Sequence, residues 1–295
     1  MNKQIKILWD VVDSIVKNSK YVKPIQGTTH SIYNAVSGIK SQPEKISWDL
    51  PSICKLIGDE AKRDFIIQYE GFASSVNYQY WYGRADIRPN GANANKMYQL
   101  LDEACLAACK IGQLFNSFEV GEEFIKLLTL NRFPLLEKRI KHIREVINSG
   151  IIIKLQDNCS SLDKCMELLL LSCPGFADDI FLKRACLLFM MLYRSLGLFS
   201  TEINDLPIPA DYQIPKMLEG LGCIQYIPEL KDMIENEVII PSGSRIECEI
   251  RAVSIFMCKK LAEMSERNSS DVDNWLWLKR KEITSPFHLT VTSHY

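Results

Sequence analysis

The residue best placed to do chemistry is Asp211, in the stretch PADYQIPKML at positions 209–218. Pro209 and Pro215 bracket it, and proline stops a helix arriving from upstream because it lacks an amide proton and clashes with the preceding turn. The stretch therefore reads as a stiff loop feeding a helix. Its carboxylate has two readings. It caps that helix by accepting backbone N–H bonds, or it is a fixed charge that stabilises a developing cation and activates water. The second chemical group is Lys183, in SCPGFADDIFLKRACLLFMMLY. After the Pro-Gly turn, Asp178 and Asp179 suit a helix N-terminus, and the near absence of polar residues from Ala185 to Tyr193 predicts a buried helix. Lys183 and Arg184 open that helix, and a cation near the interior needs a partner. Either both reach outward or pair with Asp178 or Asp179, or one of them serves a site. Asp211 follows Lys183 by 28 positions, a separation that a helix, a turn and a return loop can close.

A third stretch, GFASSVNYQYWYGRADIRPNGANANK, packs aromatic rings among Asn, Arg, Asp and Gly and runs into a Pro89-Asn90-Gly91 loop. Rings stack on planar ligands and amides read their edges. The same composition also suits an aromatic mini-core beside a surface loop.

Helical periodicity dominates the elements that must position these groups. In ANKMYQLLDEACLAACKIG the apolar residues Met97, Leu101, Ala104, Ala108 and Ile111 recur at spacings of three and four. Ile250, Val253, Met257, Leu261 and Met264 do the same in EIRAVSIFMCKKLAEM. FPLLEKRIKHIREVINSG predicts a helix with a basic outer face stopped by Gly150, and DKCMELLLLSC one ended by Pro174-Gly175. Strand signals are few: NEVIIPSGSRIE suits a short hairpin and FHLTVTSHY a strand. The expected class is mainly α with a minor β component.

Composition removes several functions. With 295 residues and a net charge of −1, the chain suits a globular protein without the bulk positive charge that grips duplex nucleic acid. The opening MNKQIKILWDVVDSIVKNSKYV is too broken by Asp and Lys for a secretory signal. The ten cysteines sit inside helical patterns, as Cys105 and Cys109 do, and read as free thiols in a reducing compartment, the cytoplasm. No C-x-x-C pair occurs, and His30, His142, His288 and His294 show no ligand spacing, so neither a metal nor another cofactor is expected. No apolar run is long enough to cross a bilayer.

A Pro-Gly hairpin, a lysine early in a buried helix and an aspartate on a later loop resemble, as architecture, the helix-hairpin-helix DNA glycosylases. A closer resemblance is carried by an ordered set of segments. These are FPLLEKRIKHI, FLKRACLL, PADYQIPKMLEGLGCIQY (the family's FADYxxP), IIPSGSRIECEIRAVSI, DNWLW and SPFHLTVTSHY, with SSVNYQYWYG upstream. Together they resemble the queuosine salvage proteins, the queuosine 5′-phosphate N-glycosylase/hydrolases. The family often carries phenylalanine where this aromatic cluster has tyrosine, and the stretch from Gly83 to Ile111 matches poorly.

The resemblance implies a helix-hairpin-helix glycosylase-like fold in a single domain over 1–295. An irregular aromatic segment lies at about 70–95, and the hairpin and catalytic helical region at about 150–295. It implies metal-free hydrolysis of the bond between a 7-deazaguanine base and ribose 5′-phosphate, releasing queuine for reinsertion into transfer RNA. The partner is then a small nucleotide, with no stable nucleic acid and no membrane. By match, the site aspartate is Asp211 and the helix lysine Lys183. Asn77, Tyr80, Trp81 and Tyr212 are substrate contacts, and Arg251, His288 and Lys183 are the candidate donors to the phosphate. For Arg251 the alternative is a structural ion pair with Glu249, and for His288 a core role. The alternative function is a base glycosylase, or a binder, acting on another 7-deazapurine nucleoside or on a modified base in nucleic acid.

Overall fold

The computed structural model describes residues 3–43, 51–84, 86–110 and 116–295. It is mainly helical. In chain order come α1 (Lys3–Lys17), β1 (Val22–Pro24), α2 (His30–Lys40), α3 (Asp59–Ser75) and α4 (Ala94–Lys110). Then follow α5 (Ser117–Leu130), α6 (Leu136–Ser149), α7 (Ile151–Asn158), α8 (Leu162–Ser172), the short α9 (Pro174–Ala177) and α10 (Lys183–Leu196). The last part holds α11 (Gln213–Gly220), β2 (Ile224–Tyr226), α12 (Pro228–Glu235), α13 (Arg245–Ser265) and α14 (Ser269–Lys279).

One contiguous cluster of buried apolar residues runs from Ile5 to Leu276. Two helices organise it. α10 packs on α3, and α13 packs on α1, α2, β1 and α14. The expected stripes are present: Met97, Leu101, Ala104 and Ala108 are buried on α4, as are Ile250, Val253, Met257 and Leu261 on α13. Ile111 lies outside the described residues. Met264, at the end of the α13 stripe, is 37% exposed. Gly150 ends α6 in the left-handed conformation at φ 64°, a shape glycine adopts without steric cost. The outer face of α6 is basic, but Arg139 on that helix turns inward and is fully buried.

The strands differ from expectation. β1 and β2 pair antiparallel with Val22 opposite Tyr226, although some two hundred residues separate them. NEVIIPSGSRIE forms no hairpin. Its Ile239 makes a single parallel bridge to Leu289 in FHLTVTSHY, and Ser244 instead caps α13 by accepting from the Glu247 amide. A serine at that position satisfies an amide with no partner inside the helix.

The Pro-Gly turn is α9 itself, a single turn linking α8 to α10. Asp179 then caps α10, its carboxylate accepting from the amides of Phe181 at 3.1 Å and Lys183 at 2.9 Å. Leu182, directly before Lys183, is held at φ 49°, a region leucine rarely enters. Pro215 lies inside the first turn of α11 rather than ahead of it. It is tolerated there because the first amides of a helix have no intrahelical acceptor.

Candidate active site

Residues 76–81 carry no regular structure, so their backbone groups need partners from elsewhere. Arg139 supplies most of them. Its guanidinium donates to the carbonyls of Val76, of Pro134 and Tyr78 at 2.7 Å, and of Gln79 at 2.6 Å, and it lies over the Tyr78 ring at 4.3 Å. Arg184 donates to the Ser75 carbonyl at 2.7 Å and pairs with Asp178 at 3.1 Å. Gln79 ties the segment to the end of the chain, its amide donating to the Tyr295 carbonyl at 3.0 Å and its side-chain oxygen accepting from Thr292 at 2.8 Å. The segment is thus clamped from α6, α10 and residues 292–295.

This clamped segment walls a cavity of about 660 Å³, within the ordinary range for small-ligand sites. One face of α10, spaced as a helix requires, contributes Lys183, Leu187, Met191 and Arg194. α14 contributes Asp273, Asn274 and Trp277. The loop before α11 contributes Asp211 and Tyr212, and the start of α4 contributes Tyr98. Phe287 closes one wall, its ring 4.4 Å from that of Tyr212. Arg88, Lys216, Arg280 and Lys281 also line the cavity and give it a cationic rim.

Lys183 is 3% exposed, and its ammonium donates to the Asn77 carbonyl at 2.7 Å. Burial lowers its pKa to about 8, against the opposing pull of the Asp211 carboxylate. It therefore stays mostly protonated at neutral pH but gives up its proton far more readily than an ordinary lysine. Asp211 accepts from the amides of Gln213 at 2.7 Å and Ile214 at 3.3 Å, both through Oδ1. It caps α11 and faces the cavity at once. Asp273 pairs with Arg194 at 2.9 Å, and burial raises its pKa despite that partner. Behind this wall Glu70 is buried on α3 and accepts from the Tyr98 hydroxyl at 3.3 Å, and burial lifts its pKa to about 8. The cavity can therefore offer an anion, a labile proton and flat apolar walls within one small volume.

The queuosine salvage protein profile matches residues 61–295, most of the chain. The chain belongs to that family. The chain is similar to proteins named queuosine 5′-phosphate N-glycosylase/hydrolase, three of them as follows. That of Dictyostelium discoideum is 31% identical over 223 residues, 66% of this chain and 69% of its own length. That of Sphaerobacter thermophilus is 30% identical over 190 residues, 55% of this chain and 58% of its own. That of Mus musculus is 25% identical over 270 residues, 75% of this chain and 79% of its own.

Of the residues singled out by the family resemblance, the fold gathers Asp211, Lys183, Asn77, Tyr80 and Tyr212 around the cavity. Three others lie outside its lining. Trp81 is 1% exposed and packs behind Phe287, with ring centres 6.4 Å apart. Arg251 is buried between the Phe181 and Tyr295 rings and forms a two-pronged pair with Asp179 at 2.7 and 2.8 Å. It is an ion pair, but not with Glu249, which binds Arg245 and the amides of Lys20 and Tyr21. His288 is buried against the Tyr295 hydroxyl at 3.1 Å, and burial and Arg251 push its pKa down to about 3. A neutral, enclosed imidazole does not hold a phosphate.

Sequence reasoning missed Asp273, Arg194, Tyr98 and the basic rim. Asp273 opens the DNWLW segment, but it sits inside α14 rather than at the helix start, where a carboxylate would have stood out. Among the described residues no group of three or more His, Cys, Asp or Glu side chains is placed to hold a metal ion. All ten cysteines are free thiols, and among the described residues no helix is long and apolar enough to cross a membrane.

Proposed function

We propose that this protein hydrolyses the N-glycosidic bond of queuosine 5′-phosphate, giving free queuine and ribose 5-phosphate. The observation that carries the reading is that Asp211 and Lys183, far apart in sequence, line one cavity in a chain of this family. Cleaving the bond builds positive charge on the sugar. Asp211 stabilises that charge and directs a water to the anomeric carbon through the carboxylate oxygen that does not cap α11. A 7-deazapurine lacks the N7 at which purines are usually protonated, so the leaving base takes its proton elsewhere. Lys183, with its pKa brought down to about 8, donates it.

Tyr80, Tyr212 and Phe287 hold the base between flat surfaces, as in sites that grip extruded bases. The 5′-phosphate meets the rim of Arg88, Arg280 and Lys281 rather than Arg251 or His288. We read the α8–α9–α10 hairpin that presents Lys183 as an architectural analogue of the helix-hairpin-helix glycosylases. We place the activity in the cytoplasm, within one domain and without a stable nucleic-acid partner.

The test is release of queuine from queuosine 5′-phosphate by purified protein without added metal. Turnover that persists in chelator supports the reading. No release from the nucleotide or the nucleoside, alongside cleavage of a modified base in nucleic acid, replaces it with the glycosylase alternative.

A further inference from the structure

The buried pair formed by Arg251 and Asp179 joins two elements that the proposed chemistry keeps in register. Asp179 starts α10 by accepting the Lys183 amide at 2.9 Å, which fixes where Lys183 leaves the helix. The same carboxylate takes two hydrogen bonds from Arg251 at 2.7 and 2.8 Å. The remaining arm of that guanidinium, Nε, donates to the Ala210 carbonyl at 3.3 Å, one residue before Asp211. A chain of direct contacts thus runs from Lys183 through Asp179 and Arg251 to the Asp211 loop. Glu247 adds a contact to Arg251 at 3.4 Å from the same helix, and the Phe181 and Tyr295 rings hold the guanidinium flat from either side.

Neither member of the pair lines the cavity. Both are nearly sealed from solvent, at 1% and 2% exposed side-chain area. A buried pair of this kind is a poor source of net stability, since desolvation consumes much of its attraction. Its planar, two-pronged geometry is well suited to fixing orientation.

We propose that Arg251 and Asp179 are positioning residues that set the separation of Lys183 and Asp211 without touching the substrate. This rests on the reading of those two residues as the reacting pair. Misplacing a reacting group by about an ångström costs on the order of a hundredfold in rate, so the clamp acts on turnover. Of the walls that grip the nucleotide, Tyr80 and Phe287 are carried by other segments, while Tyr212 shares the Asp211 loop.

The test is the neutral double variant Asp179→Asn/Arg251→Met. It removes both charges of the pair together, Glu247 keeps the bond it accepts from the Gly243 amide at 3.1 Å, and asparagine keeps one oxygen for the Lys183 amide while giving up the Phe181 bond. Melting is followed by circular dichroism, and kcat and KM are measured on queuosine 5′-phosphate. The expected result is a folded protein whose kcat falls at least about tenfold while KM stays within about threefold. Wild-type kcat in the folded variant overturns the proposal. If the double variant does not fold, Arg251→Lys is read by the same split, since it keeps the charge and loses the fork. Wild-type protein that does not cleave the nucleotide defeats the functional reading instead. The crystal structure of the variant then decides the clamp: a shifted Asp211 loop supports it, and an unmoved loop overturns it.

Discussion

Asp211→Asn separates the two roles that one side chain holds. The cap consists of two amide bonds to Oδ1, at 2.7 and 3.3 Å. Asparagine keeps an oxygen at that position and caps about as well as aspartate, so the variant should melt close to wild type. Asp211→Ala removes the cap as well and should lose a further 0.5–2 kcal/mol, roughly the cost of a missing N-cap. What asparagine removes is the charge. A positioned general base contributes about 10²–10⁴-fold, which at about 1.36 kcal/mol per decade is roughly 2.7–5.4 kcal/mol of transition-state stabilisation. The loss also reaches Lys183, because the Asp211 carboxylate is the main influence holding its pKa up against burial. Residual activity in Asp211→Asn should therefore fade at a lower pH than wild-type activity does. Queuine release, followed chromatographically under single-turnover conditions, measures the rate. Queuine affinity, followed by tryptophan fluorescence, should change far less, since charge on the sugar exists only in the transition state. An Asp211→Asn protein that turns over the nucleotide at the wild-type rate refutes the catalytic role and leaves only the cap.

If the Lys183 ammonium is the proton donor, kcat/KM should fall as pH rises through about 8, and a flat profile across that range removes Lys183 as the acid. Stability should move the opposite way. The folded lysine gives up its proton at about 8 while the unfolded one holds it to higher pH, so the Lys183 contribution to stability rises with pH between the two values, and Lys183→Met should flatten it. Trp81→Ala should cost about 3–5 kcal/mol in denaturant unfolding, as other buried aromatic truncations do. Tyr212→Ala should weaken queuine binding by about 1–3 kcal/mol, the range for base stacking, and an equal loss of affinity in Trp81→Ala would put that ring back in the site. Arg139→Met strands the carbonyls of Val76, Tyr78, Gln79 and Pro134 and should destabilise the fold by more than about 3 kcal/mol, and a variant melting near wild type would show that the segment holds itself.

What the sequence reveals of this site follows the range over which each signal acts. The α4 and α13 stripes are local, with contacts three and four residues apart, and periodicity finds them. Lys183 is legible because a cation opening an apolar helix is a local contradiction. Arg139 raises no such signal. It sits among Lys138, Lys141 and Arg144 on a helix whose outer face is basic, and only the loop packed against it turns it inward. The three-residue strands β1 and β2 carry too little pattern to be found, and their pairing is decided by α13 beneath them. Asp273 is hidden for a third reason: its partner Arg194 lies 79 positions away on α10.

The two readings of Asp211 do not exclude each other, because one side chain can serve both. A catalytic carboxylate must be held still, and the least costly way to hold one is to give an oxygen to amides that need an acceptor anyway. The first turn of α11 offers such amides, and Pro215 in that turn withholds its own, leaving those of Gln213 and Ile214 to the carboxylate. The cap takes Oδ1. Among the described residues both hydrogen bonds accepted by Asp211 fall on that atom, so Oδ2 is the oxygen left for the cavity. A capping signature beside two prolines is then itself evidence of a fixed carboxylate. What it cannot supply is the opposing cation. That comes from Lys183, whose helix is started by Asp179, and the site exists only where the loop and that helix meet.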